Sequence, residues 1–79
     1  MNTEFEITKG DNMKFGRLAD YTKFYRGDDM AGYEIFMKLP VVSRGADSYN
    51  AISIQYGYLT RFNDEDGCGK VSKITAYVD

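Results

Sequence analysis

Seventy-nine residues with a net charge of −2 make one small domain, and the interspersed acids and bases exclude a polybasic nucleic-acid binder. The chain holds no histidine and one cysteine, Cys68, so neither a disulfide nor a Cys-His pair can form within it, and a reducing, cytoplasmic setting is expected. Neither a signal peptide nor a bilayer-spanning apolar run is legible. Seven tyrosines and five phenylalanines are a heavy aromatic load for a core this small.

Residues 3–8 alternate, with Phe5 and Ile7 to one side and Glu4, Glu6 and Thr8 to the other, the pattern of a half-buried strand. Lys9-Gly-Asp-Asn12 reads as a turn. Spacing alone allows a helix over 13–26, but Gly16 and the β-favouring run Tyr21-Thr-Lys-Phe-Tyr25 oppose it. A single turn at 15–19 and a strand at 21–26 are expected instead. Arg26-Gly-Asp-Asp29 should break that strand; the Arg-Gly-Asp triplet is a turn with the letters of an integrin motif.

A strand over 33–39 should set Tyr33, Ile35, Met37 and Leu39 on one face and Glu34, Phe36 and Lys38 on the other, outer one, with Pro40 ending it. Residues 41–48 read as an exposed loop fit for contact. Residues 49–63 are divided by Gly57, either as a hairpin about Gln55-Tyr-Gly57 or as a bulged continuous strand. Asn63-Asp-Glu-Asp-Gly-Cys-Gly69 reads as an acidic turn. Residues 70–78 alternate again, with Ile74, Ala76 and Val78 inward and Lys73, Thr75 and Tyr77 outward.

About six short strands with tight connections imply an antiparallel barrel or a strongly bent sheet. Closure is favoured because an open sheet leaves two unpaired edges. The expected core is Phe5, Ile7, Phe15, Leu18, Phe24, Ile35, Met37, Ile52, Ile54, Leu59, Ile74 and Val78.

Candidate chemistry is sparse. Asp64-Glu-Asp66 offers three carboxylates, but a calcium loop needs a bidentate acid where Lys70 stands, so no metal site is expected. Cys68 lies between two glycines beside acids, a setting that does not activate a thiol, and is expected to be exposed. The pairs Asp28-Asp29 and Asp64/Asp66 fall on predicted tips, where water screens them, whereas acid–base catalysis needs a carboxylate tuned by burial or a partner. No enzyme and no cofactor are expected. Lys38, Arg61 and Lys73 could share a face with Phe36, Tyr58 and Tyr77 and hold a nucleic acid by stacking and charge. Tyr21, Tyr25, Tyr33, Tyr49, Tyr56, Tyr58 and Tyr77 cannot all be buried, so several should mark a protein-contact surface, with loop 41–48 and Arg44 completing it. Arg44, Tyr49, Tyr58 and Tyr77 are the expected partner-binding residues. Homo-oligomers joined by edge strands are a third possibility.

The order of Phe15-Gly-Arg-Leu18, Phe24, Phe36-Met-Lys-Leu-Pro40, Tyr49-Asn-Ala-Ile52, Gly57 and Phe62-Asn-Asp-Glu-Asp66 resembles a loose group of small phage- or prophage-encoded β-barrel proteins of uncharacterised function. The similarity spans residues 13 to 78. Tyr21 stands where that pattern has glycine, Thr22 where it has aspartate, and Gly67-Cys-Gly69 is extra. The resemblance implies an SH3-like barrel of five to six strands with one short helical turn, made in the cytoplasm of a host. It carries over no catalytic residue. It also implies a product that engages a host or defence protein, as an inhibitor of the anti-CRISPR or anti-restriction kind.

Overall fold

The computed structural model describes the backbone of residues 3–28 and 30–78 and the side chains of residues 10–28 and 30–72. Six antiparallel strands form one sheet: β1 (Thr3–Lys14), β2 (Lys23–Asp28), β3 (Gly32–Arg44), β4 (Asp47–Ser53), β5 (Leu59–Thr60) and β6 (Gly67–Val78). Between β1 and β2 a single 3-10 turn spans Phe15–Arg17. The strand order is β1-β6-β2-β3-β4-β5, so the sheet is open, with β1 and β5 at its ends. The small all-β, antiparallel, six-stranded fold with one helical turn is as the alternation predicts; the closed barrel is not.

Connecting segments do the covering that closure would have done. Phe15 and Leu18 from the 3-10 turn and Phe62 from the chain after β5 lie over one face of β2, β3 and β4. There they meet Phe24, Phe36, Ala51 and Cys68, with Met13 at the margin. Phe15, Phe24, Phe36 and Phe62 form a cluster with centroids 5.0–5.5 Å apart, mixing edge-on, tilted and stacked pairs. Such pairs each add about 0.5–1.5 kcal/mol beyond the area they bury. Two cations roof the cluster: Arg26 lies 5.1 Å from the Phe62 centroid and Lys38 4.8 Å from that of Phe15.

Of the expected core, Phe15, Leu18, Phe24 and Ile35 are buried, while Met37, Ile52, Ile54 and Leu59 are half-buried. The side chains of Phe5, Ile7, Ile74 and Val78 lie outside the described residues. The sequence reading assigned Phe36 to the outer face, yet it is buried opposite Phe24 in the β2–β3 register. Ile35, its neighbour, points to the opposite face and is buried there too. Two adjacent residues of β3 are thus buried, which simple alternation does not predict.

Several predicted breaks are not breaks. Lys9–Asn12 is not a turn but a stretch of β1 in which the register with β6 shifts. Pro40 does not end its strand; it sits inside β3 where the register with β4 shifts between Lys38 and Val42, a place where a missing N–H is tolerated. Residues 41–48 are no loop but the distal strands of the β3–β4 hairpin, Arg44 facing Asp47 across a turn at Gly45-Ala46. β2 runs on through Arg26 and Gly27 to Asp28. The Gly57 hairpin is formed: β4 and β5 pair at Ala51–Thr60 and Ile52–Leu59, and Gly57 takes φ +75°.

Candidate functional site

Arg44, Tyr49 and Tyr58 line one groove of about 530 Å³, with Ile52, Gly57 and Leu59 as its floor and wall. Arg44 arrives from the tip of β3, Tyr49 from β4, and Tyr58 from the turn that leads into β5. Three residues distant in sequence are thus gathered by the β3–β4–β5 meander. Tyr77, the fourth expected member, has its backbone paired with Glu4 of β1, and its side chain lies outside the described residues.

Tyr58 is held rather than loose. Its hydroxyl donates to Glu34 Oε2 at 2.5 Å, and Ser53 Oγ donates to the same oxygen at 2.8 Å. The hydrogen bond to Glu34, with burial and the nearby carboxylate charge, raises the Tyr58 pKa. The phenol therefore stays a neutral donor. Its ring also meets Phe36 edge-on at 6.4 Å, so the groove wall is continuous with the aromatic core. Beyond the groove, the β3 segment carries Val41 and Val42, 71% and 37% exposed.

The other tyrosines divide. Tyr21 and Tyr56 are exposed, at 63% and 74%. Tyr25 and Tyr33 are half-buried and stack edge-on at 5.2 Å. They act as cross-strand supports rather than free contacts.

Two members of the expected basic-aromatic face are taken up by the fold. Phe36 is buried, and Lys38 donates to the carbonyls of Phe15 at 3.2 Å and Leu18 at 2.7 Å. Arg61 donates to Ser48 Oγ. Lys73 and Tyr77 side chains fall outside the described residues.

The acidic turn is an internal strut. Asp66 accepts from the Asn63 N–H at 2.8 Å, while the Phe15 and Gly16 N–H groups donate to the carbonyls of Asp66 and Asp64. Lys14 pairs with Glu65 at 2.6 Å, and Arg26 lies 3.9 Å from Asp66. A Cβ at Gly16 would stand 2.7 Å from Asp64 Cβ, so glycine alone lets the 3-10 turn dock there. Asp28 caps the β2–β3 turn by accepting from the Met30 and Ala31 N–H groups; Asp29 lies outside the described residues.

Cys68 is not in a mobile turn. It belongs to β6, is 7% exposed, and its thiol donates weakly to the Met13 carbonyl. Burial pushes its pKa up, against the nearby Arg26 and Lys38 charges, which pull it down. The signal missed in the sequence was Met13: the β1–β6 register sets it opposite Cys68.

Among the described residues no helix is long and apolar enough to cross a membrane. Comparison of the chain with family models, with curated proteins and with solved structures finds no match.

Proposed function

We propose that this chain is a non-enzymatic protein-binding module that acts by occlusion, using the distal β3–β4 hairpin and the groove beside it. The observation that carries this reading is the meeting of Arg44, Tyr49 and Tyr58 in one groove, flanked by exposed Val41 and Val42. Arginine and tyrosine are the residue types that dominate binding hot spots, because each brings large contact area and a directional donor. The Glu34 and Ser53 hydrogen bonds hold Tyr58 in place before a partner arrives, which lowers the entropy lost on binding. A projecting hairpin suits entry into the cleft of a larger protein.

The class of partner follows from the resemblance of the Phe15–Leu18 and Phe36–Pro40 motifs to small phage products. It is a host or defence protein, with inhibition of the anti-CRISPR or anti-restriction kind as the outcome.

The test is a capture experiment from host-cell extract with the wild-type chain and with Arg44, Tyr49 and Tyr58 all replaced by alanine. A protein retained by the first and lost from the second, whose purified activity falls on adding the wild-type chain, supports the reading. Equal retention by both removes this surface. Binding of single-stranded DNA or RNA that weakens steeply with salt would favour the nucleic-acid reading instead.

A further inference from the structure

On the face of the sheet that carries the aromatic cluster, Arg26 of β2 and Glu34 of β3 are cross-strand neighbours. Opposite charges at such positions ordinarily pair, since their Cβ atoms stand about 4.5–5.5 Å apart. These two described residues form no ion pair with each other. Arg26 leans over the Phe62 ring, 5.1 Å from its centroid, toward Asp66 at 3.9 Å. Glu34 leans the other way, its Oε2 accepting from Ser53 Oγ at 2.8 Å and from the Tyr58 hydroxyl at 2.5 Å. The two charges are splayed apart across the sheet.

Both line a groove of about 630 Å³, a size that suits a small molecule. Phe36 and Phe62 give it an aromatic floor, Tyr56 is its exposed rim, and Gly32 leaves one end without a side chain. Among the described residues Arg26 makes no hydrogen bond, so its planar fork of donors is unfilled. Glu34 Oε1 likewise accepts none among them, while two hydroxyls hold Oε2 in place. A guanidinium fork takes a carboxylate bidentately, and a carboxylate beside aromatic rings takes an ammonium. A ligand that is only a cation meets Arg26, and one that is only an anion meets Glu34, so one wall rejects either charge by itself. A ligand carrying both charges satisfies both walls.

We propose that this groove binds a small zwitterion of the α-amino-acid type with an apolar or aromatic side chain. Its carboxylate takes the Arg26 fork, its ammonium takes Glu34, and its side chain lies against Phe62 and Tyr56. Because Ser53 and Tyr58 fix Glu34 beforehand, little side-chain freedom is lost there on binding. The groove shares no lining residue with that of Arg44, Tyr49 and Tyr58, so the proposal stands independently of the protein-binding reading.

L-Tryptophan is the probe, because the chain has no tryptophan and the emission of the ligand is read without background. The wild-type chain is expected to half-saturate at about 1 mM or below. N-acetyl-tryptophan lacks the ammonium and tryptamine lacks the carboxylate. Each should bind about tenfold more weakly, the scale of one charge-assisted hydrogen bond. Glu34→Gln should lose the preference for tryptophan over its N-acetyl form, and Arg26→Gln the preference over tryptamine. Arg44→Ala, in the other groove, should change neither. If a variant does not fold by circular dichroism, the three ligands on the wild-type chain still decide. No tryptophan binding, equal binding of the three ligands, a preference that survives its substitution in a folded variant, or loss of binding on Arg44→Ala each overturns the proposal.

Discussion

Tyr21 shows what one backbone angle demands. It takes φ +68°, the one non-glycine residue with positive φ among those described. Its N–H donates to the Lys38 carbonyl at 2.6 Å, which fixes the bend that returns the chain from the 3-10 turn into β2. A left-handed conformation strains a bulky side chain by about 1–2 kcal/mol, and glycine escapes that strain. Tyr21→Gly should therefore raise stability by about 1 kcal/mol in urea titrations, since the 63%-exposed ring has little packing to lose. A fall in stability would mean that the ring is needed where it lies. Tyr58 is a second residue whose surroundings set its behaviour. Its pKa in the folded chain lies above the ordinary 10.0, chiefly because Glu34 accepts its proton in a hydrogen bond. The stability it contributes is thus present below pH 10 and is lost as pH rises through the folded-state value. In absorbance titrations at alkaline pH, Glu34→Gln should lower the pH at which Tyr58 ionises, and Tyr58→Phe should remove that transition from the curve. If Glu34→Gln left the curve unmoved, the carboxylate would not be the cause.

The 3-10 turn depends on distant segments for most of its hydrogen bonds. Three residues cannot hold a helical turn by themselves, and beyond one local bond, from the Leu18 N–H to the Phe15 carbonyl, the hydrogen bonds that hold it are tertiary. The acidic turn accepts its first N–H groups at Phe15 and Gly16, and the Lys38 ammonium from β3 takes the carbonyls of Phe15 and Leu18. The turn in turn presses Phe15 and Leu18 onto the sheet. Lys38→Met keeps the length of the side chain and removes the charge-assisted bonds. A loss of about 2 kcal/mol is expected, read from the urea midpoint of each variant. A change below a few tenths would show that water replaces the ammonium without penalty. Lys38 is consequently a structural cation.

At the scale of the molecule, one aromatic cluster ties the strands to their covering segments. Phe24 is fully buried and touches the rings of Phe15, Phe36 and Phe62. Phe24→Ala should remove about 3–5 kcal/mol. A chain of this size has only several kcal/mol in total. The variant is expected to be largely unfolded at 37 °C by circular dichroism; a cooperative transition near that of the wild type would place the main stabilisation elsewhere. Openness is the other property of the whole. Because the 3-10 turn and Phe62 cover the core, the sheet does not need to close on itself.

Much of the architecture was legible from local rules. Alternation exposed the strands, Gly57 marked its hairpin, and the Phe15–Leu18 spacing marked the single turn. Arg44, Tyr49 and Tyr58 were named from residue type alone, and the fold brings them to one groove. What local rules could not supply was sidedness and closure. Alternation says that two faces differ, but Phe36, under the aromatic cluster, and its neighbour Ile35 are both buried. Pro40 and Lys9–Asn12 look like stops, yet a ladder can shift register around them when the partner strand continues. Cys68 looked exposed because glycines and acids surround it in sequence, whereas Met13, far away along the chain, defines its surroundings. Local pattern depends on neighbours along the backbone; burial depends on which distant segment lies on top, and only the assembled sheet determines that.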